Sequence, residues 1–209
     1  MTDFDAESGA RREDIVQRIE LMEQMIAEGR RTTMRSGWIF LMWGLLYFAA
    51  IGWQMFLPAA KLAWPVCITL GFVIIRAWRR RLKRSGLSDE GPRLRSISAV
   101  WGAVGCAITL YVVAAALSHH IGQQPAVNAA VMIFLGLAHA ASAIILRWRA
   151  QGAVAAIWWA GGIAVFFAPA SASVFIFLIA TFFGMILFGG YAMMVERRRA
   201  AGLVQHHAR

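Results

Sequence analysis

Apolar residues run along this chain in stretches long enough to cross a bilayer, and short polar segments between them collect nearly all the charge. A hydrocarbon core needs ~20 helical residues. On that ruler the pattern predicts six helices. They are Gly37 to Leu57, Leu62 to Ile75 extended by Ala77 and Trp78, Ile97 to Leu117, Ala126 to Leu146, and two cut from the apolar stretch Ala153 to Tyr191. The second is the shortest, and Pro58 leaves room only for a tight hairpin before it. The last two are divided at Ala168 to Ser173, where Pro169 breaks the run and Ser171 or Ser173 is expected to cap the final helix. The first 36 residues are polar and the first apolar run has the length of a full span. The first helix is therefore expected to stay as an anchor, not to be removed as a signal.

The distribution of charge orders these segments. Of the 21 lysines and arginines, 20 fall in the N-terminal segment, in Arg76 to Arg95, at Arg147 and Arg149, and after span six; only Lys61 falls on the opposite side. All 11 acidic residues share the basic side. Basic loops are retained in the cytoplasm, so both termini are expected there, in a bacterial inner membrane. A single long helix over Ala153 to Tyr191 would put Arg197, Arg198 and Arg199 outside, against the same rule. Trp38, Trp78 and Trp148 fall at the expected inner interfaces and Trp53 and Trp64 at the outer ones.

Composition then removes several classes. With 59% apolar and 15% charged residues, a water-soluble domain is excluded. The net charge of +10 serves topology, with no module for nucleic acid beside it. Cys67 and Cys106 lie within apolar segments and read as small packing residues, not a disulfide. No nucleophile motif, phosphate loop or metal-ligand cluster appears, so neither an enzyme nor a bound cofactor or metal is expected.

Within the spans no Asp, Glu, Lys or Arg occurs, which argues against ion pumps and proton-coupled carriers. His139 is the titratable exception, read as a packing residue or as a ligand or proton site. A bis-histidine haem would need a partner at its depth, yet His119 and His120 lie beyond span three. Gln54, Tyr111 and Asn128 fall toward the outer half, where they could line an outward-facing cavity. Small residues are expected to carry close helix contacts: Ala99, Ala103 and Ala107, with Gly102 and Cys106 beside them, on span three; Gly136 and Ala140 on span four; Gly184, Gly189, Gly190 and Ala192 on span six.

Two longer-range patterns remain. Trp43 with Gly44, Trp101 with Gly102, and Trp159 followed by Ala160 and Gly161 recur every 58 residues. With basic closures at Arg76 to Arg81, Arg147 to Arg149 and Arg197 to Arg199, they point to three two-helix hairpin repeats. Ahead of the spans, Ile15, Ile19, Met22 and Ile26 recur at four, three and four residues and form one narrow apolar seam on an amphipathic helix. Eight acidic against three basic residues up to Glu28 give that segment a net charge of minus five, which an anionic leaflet repels. Eight basic against two acidic residues give Arg76 to Arg95 plus six. The acidic helix is therefore expected to meet the basic loop or a copy of itself in a homo-oligomer, or to bind a protein partner.

The run Ile19 to Trp38, IELMEQMIAEGRRTTMRSGW, followed by Trp43 and Gly44, resembles uncharacterised small bacterial membrane proteins that open with an amphipathic helix. The resemblance implies an inner-membrane location, in families sometimes encoded near winged-helix regulators, and transfers no activity or site residue. The sequence therefore predicts an all-α, multi-pass fold: a cytoplasmic helical segment (1–36), a six-helix membrane domain (37–195) and a basic tail (196–209). The expected role is a non-enzymatic scaffold or partner-binding protein. A small-solute transporter or channel is the alternative, and a haem or quinone redox component a third.

Overall fold

The computed structural model describes residues 15–24, 26–27, 37–59, 62–84, 92–117 and 124–207, and every regular element among them is helical. Residues 15–24 and 26–27 are helical. Then follow α1 (Gly37–Phe56), α2 (Ala63–Arg84), α3 (Pro92–Leu117), α4 (Gln124–Leu146) and α5 (Arg149–Phe167). A composite last helix begins with a 3-10 turn (Ala170–Ala172) and α6 (Ser173–Thr181), continues through a π-helical turn (Phe182–Leu187), and ends in α7 (Phe188–His207). Lys61, His119, His120, Gly122, residues 1–14 and 28–36 of the acidic segment, and residues 85–91 of the basic loop lie outside the described residues.

Among the described residues, five stretches are long and apolar enough to cross a membrane: Gly37–Phe56, Ser96–Ala115, Pro125–Leu146, Arg149–Phe167 and Ala170–Arg198. The chain is thus a helical multi-pass membrane protein. α2 falls short of that standard because Arg76, Arg79, Arg80, Arg81, Lys83 and Arg84 occupy its last nine residues.

The two tightest turns have separate causes. Between α1 and α2 the chain reverses through Ala59 at φ 56°, and the Trp53 indole donates to the Pro58 carbonyl at 2.9 Å. Between α4 and α5 the backbone closes a Schellman motif: Trp148 N–H donates to Ala143 O and Arg147 N–H to Ile144 O, with Arg147 at φ 48° where glycine is usual. That compact reversal starts α5 at Arg149, four residues before the expected Ala153. It also buries Trp148 to 8% exposure against Phe188, so this tryptophan packs in the core and is not an interfacial anchor. At the predicted break, α5 ends at Phe167 and Pro169 precedes the 3-10 turn, but neither Ser171 nor Ser173 caps the next helix.

The core lies between α1, α4, α5 and the composite last helix. Trp158, Met132 and Leu146 are fully enclosed, and Phe177 and Met185 are nearly so. α1 and α7 approach to backbone contact at Gly37 and Gly189: a Cβ on Gly189 would lie 2.7 Å from Gly37 O and 2.8 Å from Leu41 N. In the π turn the Trp158 indole lies against Gly184, whose Cβ would fall 2.5 Å from Nε1. α2 and α3 are peripheral. α2 buries only Ala63, Cys67 and Gly71 along one side, with Trp43 lying over Gly71.

α3 corrects the small-residue expectation. Its inward stripe is Ile97, Trp101, Val104, Ile108, Tyr111 and Ala115, whereas Ala99, Gly102, Ala103 and Cys106 are exposed. A Cβ on Gly102 would meet nothing within 4 Å. The larger side chains reach α4 and bury more area per contact, leaving the small ones outward. Gly136, Gly184, Gly189 and Ala192 do pack against neighbouring helices as expected.

Candidate functional site

Helical rise orders the polar residues of the α4–α5 hairpin by depth. Counting from its turn at Arg147 and Trp148 at 1.5 Å per residue, Gln151 lies ~4–5 Å in, Ser142 ~7–8 Å and His139 ~12 Å. All three are fully enclosed. The Ser142 hydroxyl accepts a bond from Trp101 Nε1 at 3.2 Å, which fastens α3 to α4. His139 sits among aromatic rings: Trp101 at 5.0 Å and Phe188 at 5.7 Å, both edge-to-face, and Phe40 at 5.4 Å, tilted. Edge-to-face contact is the favourable arrangement for a polarised ring edge over a π face. Neither nitrogen of His139 has a hydrogen-bond partner among the described residues, and the same is true of the Gln151 amide, Trp158 Nε1 and Thr181 Oγ1.

Gln54, Tyr111 and Asn128, expected to line an outward-facing cavity, and His139 have separate surroundings. Gln54 accepts from Trp64 Nε1 at 2.9 Å and ties α1 to α2 across their turn. Asn128 donates to the Ser173 hydroxyl at a long 3.5 Å, joining α4 to α6 and engaging the oxygen that would have capped the helix. Tyr111 stacks edge-on to Phe134 at 6.5 Å. His139 is enclosed by rings from α1, α3 and α7. Gln54 and Asn128 are thus engaged in fastening helices together.

Gln151 escaped the sequence reading because Arg147 to Gly152 reads as loop, and nothing there signals a reversal as short as the one formed. Glu196 lies within the last long apolar helix, with one carboxylate oxygen buried and lacking a partner among the described residues. Among those residues no group of three His, Cys, Asp or Glu is placed to hold a metal ion.

The second candidate is the helix ahead of the bundle. Ile15 is 51% exposed, Ile19 52% and Met22 48%, whereas Ile26 is buried at 7%. Residues 15–24 are exposed throughout, Glu20 and Glu23 included. The seam therefore starts uncovered and ends buried.

No protein-family model, curated protein or solved structure matches the chain.

Proposed function

We propose that this is a non-enzymatic bacterial inner-membrane protein that crosses the bilayer six times with both termini in the cytoplasm, and that it binds a protein partner or a second copy through its N-terminal helix. Six crossings require α2 to span as well. Ala63 to Trp78 rises about 24 Å, close to a hydrocarbon core of ~30 Å, and arginines at its end can snorkel to the interface. The concentration of 20 of 21 lysines and arginines in alternate segments supports the orientation. Three hairpin repeats find partial support: Trp43 lies over Gly71 and Trp101 bonds Ser142, each on the following helix, while Trp159 packs on Gly136 of the preceding one.

The observation that carries the binding role is the half-exposed seam Ile15, Ile19 and Met22 on a helix whose next seam residue, Ile26, is buried. Its acidic flanks disfavour the anionic leaflet, which leaves a protein surface as the apolar face's cover. The test is Ile19→Asp with Met22→Asp in the full chain. Mass measured in nanodiscs, with and without cross-linking in native membranes, should show loss of a self-associated or partner-bound species. Unchanged mass, cross-links and protease sensitivity of the N terminus would remove the proposal.

The enclosed polar groups of His139, Gln151, Trp158 and Thr181, unpartnered among the described residues, favour a second reading, a small-solute transporter or channel. Under it, solute flux into proteoliposomes should fall in His139→Leu and Gln151→Leu. A haem in this region would show a Soret band in the purified protein.

A further inference from the structure

The outer side of α2 carries two features in register whose combination neither topology nor partner binding requires. The first is an apolar trough of about 400 Å³, lined by Pro65, Val66, Thr69, Leu70 and Val73, all exposed. The second is the basic end of the same helix. Val66, Thr69 and Val73 recur at three and four residues, and continuing that period gives Arg76, Arg80 and Arg84, at three, four and four. One helical face thus runs from the apolar trough into three exposed guanidinium groups, with Arg80 ~10 Å beyond Val73. Lys83, seven residues after Arg76, borders the same face, and Arg79 and Arg81 turn to its flanks.

We propose that this face is a binding site for an anionic phospholipid, with an acyl chain in the trough and the phosphate on Arg76, Arg80 and Arg84. An acyl chain lies along the bilayer normal, as α2 does, and its phosphate sits at the hydrocarbon boundary, where the arginines begin. Charge complementarity selects the headgroup: the last nine residues of α2 hold six cations and no acid, and planar guanidinium groups bind phosphate oxygens in pairs. Positive-inside sorting requires the number of these charges and leaves open what they hold. The inference rests on the reading that α2 lies in the bilayer.

The test is retention of lipid by the full chain in native mass spectrometry, with phosphatidylglycerol titrated against phosphatidylcholine of the same acyl chains. The wild-type chain should retain phosphatidylglycerol in preference. Arg76→Gln with Arg80→Gln should reduce that preference on the order of tenfold or more. Arg79→Gln with Arg81→Gln, which removes the same charge, should leave most of it. Val73→Phe, which fills the trough without touching charge, should weaken retention, and glycerophosphate, lacking acyl chains, should not compete. Equal loss in the two double variants would show a diffuse field and overturn the site, as would effective competition by glycerophosphate or no effect of Val73→Phe. Equal retention of both lipids by the wild type, or retention of neither, also overturns it. Labelling of Val66→Cys in native membranes by a water-soluble maleimide would show instead that α2 is not in lipid.

Discussion

The Gly37–Gly189 crossing gives the sharpest test of the bundle. An alanine at 189 places Cβ 2.7 Å from Gly37 O and 2.8 Å from Leu41 N, both backbone atoms that no rotamer change can move aside. Ordinary contact begins near 3.4 Å, so α1 and α7 must separate by ~0.7 Å along the contact, and overpacking of this kind costs about 1–3 kcal/mol. Part of that is offset, because replacing a helical glycine by alanine gains up to ~1 kcal/mol in propensity. Gly102→Ala removes this ambiguity: it makes the same change in a helix interior where a Cβ would meet nothing within 4 Å. The difference between the two variants therefore isolates the close approach, and Gly189→Ala should be less stable than Gly102→Ala by about 1–3 kcal/mol. Unfolding in mixed micelles, followed by far-ultraviolet circular dichroism, measures it. Gly37→Ala added to Gly189→Ala should cost less than the sum of the two, since the helices have already parted. If Gly189→Ala and Gly102→Ala unfold together, the backbone contact between α1 and α7 is not as described.

Two further variants address the turns. Gln54→Leu and Trp64→Phe, alone and combined, should yield a coupling of about 0.6 kcal/mol in a double-mutant cycle, as expected of an interhelical hydrogen bond in a membrane bundle; no coupling means the bond does not form. Arg147→Gly relieves a left-handed residue and should raise stability by about 1 kcal/mol in the same unfolding assay, with Arg149 still marking the basic side; a loss of stability would argue that its side-chain interaction outweighs the backbone strain.

Much of the layout was legible because the bilayer imposes a length, and because proline leaves a signature. The ends of α1 and α4, the far end of α5 and the break at Pro169 followed from those two rules. Which side of a helix faces inward was harder to read, since apolar residues suit lipid and core alike. α3 shows the consequence: small and large apolar residues alternate around it, and the small-residue rule selected Gly102 and Ala103 where the structure buries Ile97 and Val104. Gln151 was lost for a local reason, a Schellman turn built on arginine where the expected glycine signal is missing. The roles of Gln54 and Asn128 as helix fasteners depend on Trp64 and Ser173, distant in sequence and brought close only by the hairpin and by the return of the chain through α5.

Magnitudes decide between the two candidate sites. An unsatisfied polar group buried in a water-soluble protein costs about 1–3 kcal/mol, because unfolding returns it to water. For His139, Thr181 and Trp158 the competing state is a separated helix still in hydrocarbon, where the same atoms are no better solvated, so much of that cost cancels. Their lack of partners therefore exerts only a weak demand for a ligand. The seam is different: Ile15, Ile19 and Met22 belong to a charged helix ahead of the first span, and each leaves about half its surface exposed. Fully burying such side chains stabilises by about 1.5–3 kcal/mol each, so covering the exposed halves of three offers on the order of 3 kcal/mol to whatever binds there. That gain is available in water and has no counterpart in lipid, which places the stronger drive toward association on the N-terminal helix and makes Ile19→Asp with Met22→Asp the more decisive of the two functional tests.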